Sequence, residues 1–250
     1  LAMPLMLAWF FHKAESEPKA LHFLAAAALL AVPVAFVLKQ PVLGTALLIG
    51  ASGFFVIFFA GLSWKVLLGL ILSGAAALPF VWGMLHDYQR QRVLTLLDPS
   101  SDPLGAGYHI IQSTIAIGSG GISGKGWLRG TQTHLEFIPE KHTDFIFAVF
   151  SEEWGLIGNG VLLFLFLLLI VRGLSIAYRA PTLFSRLLAG ALTLSIFVYA
   201  MVNMGMVSGI LPVVGVPLPF VSYGGTALAT LALGIGVLMS IAKHPSLVSK

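Results

Sequence analysis

One short stretch, residues 135–155 (LEFIPEKHTDFIFAVFSEEWG), gathers Glu136, Glu140, Lys141, His142, Asp144, Glu152 and Glu153 around the apolar run 145–150. The flanking sequence is mostly Leu, Ala, Val and Phe. Charge is costly in such surroundings, so a cluster of this kind marks a functional site. Asp144, beside Lys141 and His142 at the lip of an apolar segment, has the chemistry of a general base. Desolvation would raise its pKa and the neighbouring cations would lower it. The competing reading makes Thr143 or Asp144 the cap of a helix starting here. His134-x-Glu136 and His142-x-Asp144 are metal-ligand types. The lack of Cys and of a His pair at helical spacing argues against structural zinc. A hard cation such as magnesium, shared between a carboxylate and a pyrophosphate, fits better. Glu152 and Glu153 read as an interfacial pair anchored by Trp154.

Cations elsewhere suit an anionic ligand. Arg90 and Arg92, in HDYQRQRV, either clamp a phosphate in bidentate fashion or form a solvated turn paired with local acids. The run 118–130, GSGGISGKGWLRG, has six glycines with Lys125 and Arg129. It lacks the spacing of a P-loop. Its exposed N–H groups either face an anion or form a flexible turn. The segment 209–225, GILPVVGVPLPFVSYGG, has three prolines and four glycines and is not a regular helix. Such backbone survives at membrane depth only when packed in protein or lining a wet cavity. Ser222 and Tyr223 should therefore open the last helix toward the cavity of Asp144.

The elements that carry these residues are membrane helices. Of 250 residues 58% are hydrophobic and 10% charged, and the mean hydropathy is +0.95. Soluble domains run near ~25% charged. A membrane helix needs about 20 apolar residues. The segments 21–38, 43–62, 66–85, 155–171, 187–206 and 222–242 qualify, and the apolar run 1–11 reads as a helix cut partway rather than a signal peptide. With 12–19 placed inside, Lys13, Lys19, Lys65, Arg172, Arg179, Arg186, Lys243 and Lys250 are all inside, and of the short outer loops only one has a cation, Lys39. The long stretch 86–143 then lies outside, with eight of the ten acids in or beside it. A loop of that length is not a passive connector. Its apolar part, 108–118, suits a segment lying along or dipping into the bilayer. The net charge of +4 reflects this sidedness and does not point to nucleic acid.

The stretches QRQRV, DPLGAGYHIIQS, IAIGSGG, GKGW, FIPEKHTDFIFAV and VVGVPLPFVSYGG follow one another in this order. In them the chain resembles the SEDS family of RodA, FtsW and their sporulation relatives. GTQTHLEFIPEKHTDFIFAV with LPVVGVPLPFVSYGG is nearest to the RodA branch. The resemblance implies an all-α, polytopic transmembrane bundle of the bacterial inner membrane. It reads 1–250 as one domain lacking its earlier helices, with 86–143 as a large extracytoplasmic loop on the periplasmic side. It implies a peptidoglycan glycosyltransferase that polymerises lipid II during cell elongation beside a class B penicillin-binding protein. It matches Asp144 of HTDF to the catalytic aspartate. Arg90, Arg92, Lys125, Arg129, Lys141, His142, Ser222 and Tyr223 are then the substrate-binding candidates.

Two departures bear on activity. The family's QPDLGT reads QPVLGT here, so Val42 stands where an acid is expected. A PSE-x-AK motif expected just before Leu1 is absent. The alternatives are a transporter of lipid-linked precursor and an inactive scaffold for a penicillin-binding protein. Transport sites lie near the midplane, whereas the charges here pool outside; Val42 is what favours a scaffold.

Overall fold

The structure, a computed structural model, describes residues 1–14, 19–40, 42–85, 87–103, 105–135, 137–138 and 140–243. Among them the fold is all-α: α1 (Ala2–Lys13), α2 (Ala20–Leu38), α3 (Leu43–Phe59), α4 (Trp64–Met84), α5 (Asp87–Leu97), a 3-10 turn (Pro99–Ser101), α6 (Ala106–Gly120), α7 (Thr131–His134), α8 (Ile146–Arg179), α9 (Leu183–Val207) and α10 (Gly225–Lys243). Five of these, α2, α4, α8, α9 and α10, are long and apolar enough to cross a membrane. Helix α3, at 17 residues, is somewhat short for that.

The chain divides into two compact units. The first comprises Leu1–Trp64, Phe166–Tyr199 and Gly225–Lys250. Its core joins Leu7 and Phe11 of α1, Val56 and Ile57 of α3, Leu187, Leu188 and Leu192 of α9, and Leu238 of α10. Small residues let these helices close up, as membrane interfaces require without a hydrophobic drive between helices. A Cβ at Gly173 would strike the Thr193 side chain, and one at Gly190 would meet the Phe59 ring at 2.7 Å. Helix α2 buries only Ala26. Its apolar surface points outward, as suits lipid contact.

The second unit comprises Lys65–Leu165 and Ala200–Gly224. It contains every residue expected to bind substrate. The stretch 86–143 forms structure of its own rather than an open loop. Helix α6 buries Ile110, Ser113, Ala116 and Gly120 along one face. Ser113 donates to the Val207 carbonyl at 2.9 Å, tying α6 to the end of α9. Thus 108–118 is a packed helix.

The helical stretch α8 begins at Ile146, so a short helix precedes the span expected from 155, and its far end runs eight residues past the expected 171. It is broken at Gly155, whose φ of 62° and ψ of −160° lie outside helical space. A side chain there would strike the Gly124 amide and the Ile122 carbonyl. The glycine run 121–126 docks on this break. Lys125 and Gly126 donate from their amides to the Glu152 and Glu153 carbonyls, both at 3.0 Å, while Leu156 and Ile157 donate back to Gly121 and Ile122 at 2.9 and 3.1 Å. With the Gly124, Lys125 and Gly126 amides used in packing, this part of the run is neither a flexible turn nor a set of N–H groups open to an anion.

Candidate active site

Asp144 sits two residues before α8, and the main chain there is held from three sides. Tyr223 N donates to the His142 carbonyl at 2.8 Å. Ser222 Oγ donates to the Thr143 carbonyl at 2.6 Å and accepts from Leu218 N at 2.7 Å. Asn203 Nδ2 donates to the Asp144 carbonyl and to that of Val216, each at 2.7 Å. Three successive carbonyls are therefore fixed by α9 and by the irregular strap 208–224. The prolines and glycines that deny this strap helical bonds leave its polar groups free to grip the residues around Asp144. Ser222 and Tyr223 precede α10 rather than open it, since that helix begins at Gly225.

The carboxylate itself is left open. Thr143 turns its hydroxyl back to Glu140 Oε2 at 2.7 Å instead of capping α8. The Asp144 side chain has no hydrogen bond among the described residues, so the cap reading is not realised. Gly215, at φ 68°, passes so close that a Cβ there would lie 3.3 Å from Asp144 Oδ2. Burial first, and the charge of Glu140 second, hold the Asp144 carboxyl above the usual carboxylate range. Of the two directions open from sequence, desolvation prevails. Beside it, His109 of α6 stacks on Phe145 with ring centroids 5.3 Å apart. Burial holds its imidazole below the ordinary histidine value, against the pull of Glu140 and Asp102.

The candidate cations divide by what they already touch. Arg90 donates to the Trp82 and Gly83 carbonyls at 3.0 and 2.7 Å and so closes the end of α4. Its Asp87 contact is loose, at 4.0 Å. Arg92 lies over the Tyr88 ring at 6.0 Å and keeps a buried Nη1 without a partner among the described residues. Lys125 Nζ is paired with Glu152 at 2.7 Å. Glu152 is fully buried, not an interfacial charge as expected, and Glu153 is 9% exposed. Trp154 stays exposed and stacks with Phe150. Arg129 and His142 are exposed and Lys141 is half-buried. Among the described residues no three His, Asp or Glu side chains gather as a metal site. Glu136 lies outside the described residues, as does Pro41. Val42, in the first unit, is the N-cap of α3 and supplies no side-chain cap.

Asn203 and His109 escaped the sequence reading. Asn203 stands among YAMVNMGMV, and a polar residue inside an apolar helix is the signal that could have found it.

Long apolar helices define a polytopic membrane protein, and the half-buried Asp144 carboxylate at the head of one of them has no hydrogen bond among the described residues. The comparisons narrow that class. The model of the FtsW, RodA and SpoVE cell cycle proteins matches residues 1–247, and the chain belongs to this family. It is 58% identical to the peptidoglycan glycosyltransferase MrdB of Escherichia coli strain K12 over 251 aligned residues, covering 100% of this chain and 68% of that protein. It is 46% identical to the peptidoglycan glycosyltransferase RodA of Treponema pallidum over 158 residues, 63% of this chain and 36% of that one. A solved structure of a peptidoglycan synthase complex that coordinates polymerization and crosslinking matches with a TM-score of 0.79 at 33% identity, covering 96% of this chain and 67% of that one. RodA of Thermus thermophilus matches with a TM-score of 0.64 at 29% identity, covering 96% and 63%.

Proposed function

We propose that this chain is a peptidoglycan glycosyltransferase that lengthens glycan strands from a lipid-linked sugar pyrophosphate, with Asp144 as its general base. The observation that carries the reading is a carboxylate without hydrogen-bond partners among the described residues, mounted on a backbone held through three successive carbonyls. Asp144 accepts the proton of the acceptor sugar hydroxyl as its oxygen attacks the anomeric carbon of the donor. The bond from that carbon to the pyrophosphate oxygen breaks, and the configuration inverts. A base whose pKa is raised toward the working pH holds the proton better in the transition state.

The leaving pyrophosphate needs positive charge. Arg129, Lys141 and His142 are the proposed contacts, with Arg92, whose buried Nη1 has no partner among the described residues, as a fourth, and with Ser222 and Tyr223 on the same side. Arg90 and Lys125 act at one remove, through α4 and Glu152. A magnesium ion fits this donor set only if shared between Asp144 and substrate phosphates; bound there it would neutralise the leaving group. The excess of cations in the other connections supports placing this site on the periplasmic side of the inner membrane. The match to a synthase complex supports a class B penicillin-binding protein as partner. Purified protein containing this chain should polymerise lipid II, and Asp144→Asn should abolish polymer while leaving insertion and expression intact. Parent-level polymer from Asp144→Asn would refute the base assignment.

A further inference from the structure

Glu152 stands in the first part of α8, fully buried. One carboxylate oxygen accepts from Lys125 Nζ at 2.7 Å, from Gln132 N at 3.0 Å and from Thr131 Oγ1 at 3.2 Å. Lys125 Nζ also donates to Thr131 Oγ1 at 2.7 Å. The glycine run and the first turn of α7 thus meet on one oxygen. A buried charge is costly unless fully bonded, and removing one partner of such a pair is strongly unfavourable.

We infer that Glu152 is a positioning residue for the glycosyl-transfer site. The segment from Thr131 to Asp144 is held at its far end by the three carbonyl bonds, and Glu152 holds its near end. Lys141 lies between these anchors, His142 is the first residue of the far one, and Arg129 lies just ahead of the near one. The two anchors fix the distance between base and cations. Glu152 never touches substrate in this scheme. The inference rests on the glycosyltransferase reading for its activity arm alone.

The experiment uses full-length protein containing the chain, with lipid II as the probe, followed by polymerisation kinetics and amide hydrogen exchange. Glu152→Gln keeps the shape but loses charge-assisted bonds. Its Gln132, Lys125 and Gly126 amides should exchange roughly ten- to a hundredfold faster, with turnover falling by a comparable factor. The acid limb of the pH–rate profile belongs to Asp144 and should not move. Lys125→Met should reproduce the effect from the loop side, and Glu152→Asp should recover part of it. Unchanged exchange and turnover in Glu152→Gln would overturn the inference, as would a shifted acid limb, which would put Glu152 in the chemistry itself. Should Glu152→Gln fail to fold, Lys125→Met decides, because its ammonium is partly exposed; parent-like exchange and turnover there would overturn the role. A parent protein that makes no polymer refutes the activity reading and the catalytic purpose of the anchor together, while exchange still reports whether Glu152 holds the loop.

Discussion

Asn203→Ala is the sharpest perturbation of the way Asp144 is held. The Asn203 amide serves two carbonyls, those of Asp144 and Val216, and is fully buried. Truncation leaves both acceptors without a donor, at about 1–3 kcal/mol each. A water entering the space vacated by the amide would recover part of this, because a polar cavity with two acceptors suits it. A net loss of about 2–3 kcal/mol follows, or a melting point lowered by roughly 4–12 °C for a chain of this size. The effect on rate should exceed the effect on folding, since a displacement of about 1 Å at a reacting group can cost roughly a hundredfold. Thermal unfolding of purified protein in detergent gives the first quantity, and lipid II polymerisation well below the melting point gives the second. A variant that melts within a degree of the parent and polymerises at its rate would show that the carbonyl clamp does not position Asp144.

Four other outcomes follow. Because burial and Glu140 raise the Asp144 pKa, the ionised base should be lost as pH falls through that raised value, earlier than for an ordinary carboxylate; Glu140→Gln should shift this limb to lower pH. By linkage, a raised folded pKa gives stability that is present at low pH and lost as pH rises through it, so Asp144→Asn should melt higher than the parent at neutral pH, with the gap closing in acid. Val42→Asp puts a good capping side chain at the N-cap of α3 and should add about 1 kcal/mol of stability; a rise in polymerisation beyond the added folded fraction, measured in parallel, would assign the acid a chemical part as well. Arg92→Lys should weaken use of the pyrophosphate substrate through loss of planar geometry, whereas Arg90→Lys should lower the melting point through α4 with substrate KM unchanged; the two variants compared by KM and melting separate these roles.

The helices were legible because membrane burial requires long apolar runs, and their ends fell within a few residues of the expected places except at the far end of α8. The boundary at Trp154-Gly155 is real, since two helical stretches meet at that break, but the short helix ahead of it was not read. Asp144 was legible because a carboxylate next to an apolar run is costly. Of its holders, Ser222 and Tyr223 were placed toward it from the sequence and Asn203 was not; the grip itself uses carbonyls of 142–144, which have no residue identity. Glu152 was misread for a related reason. Its partner Lys125 is 27 residues away in sequence, and only the docking of the glycine run brings the two together. Arg90 and Arg92 look equivalent in QRQR, and a difference of two helix positions gives one the end of α4 and the other a buried N–H without a partner among the described residues.

The grip on residues 142–144 is made through peptide oxygens, which any amino acid supplies equally. The side chains of His142 and Asp144 are thereby released from holding the frame, while that of Thr143 still bonds Glu140. Natural variation or laboratory selection can sample new chemistry at this spot as if exchanging the tip of a tool while its handle stays clamped.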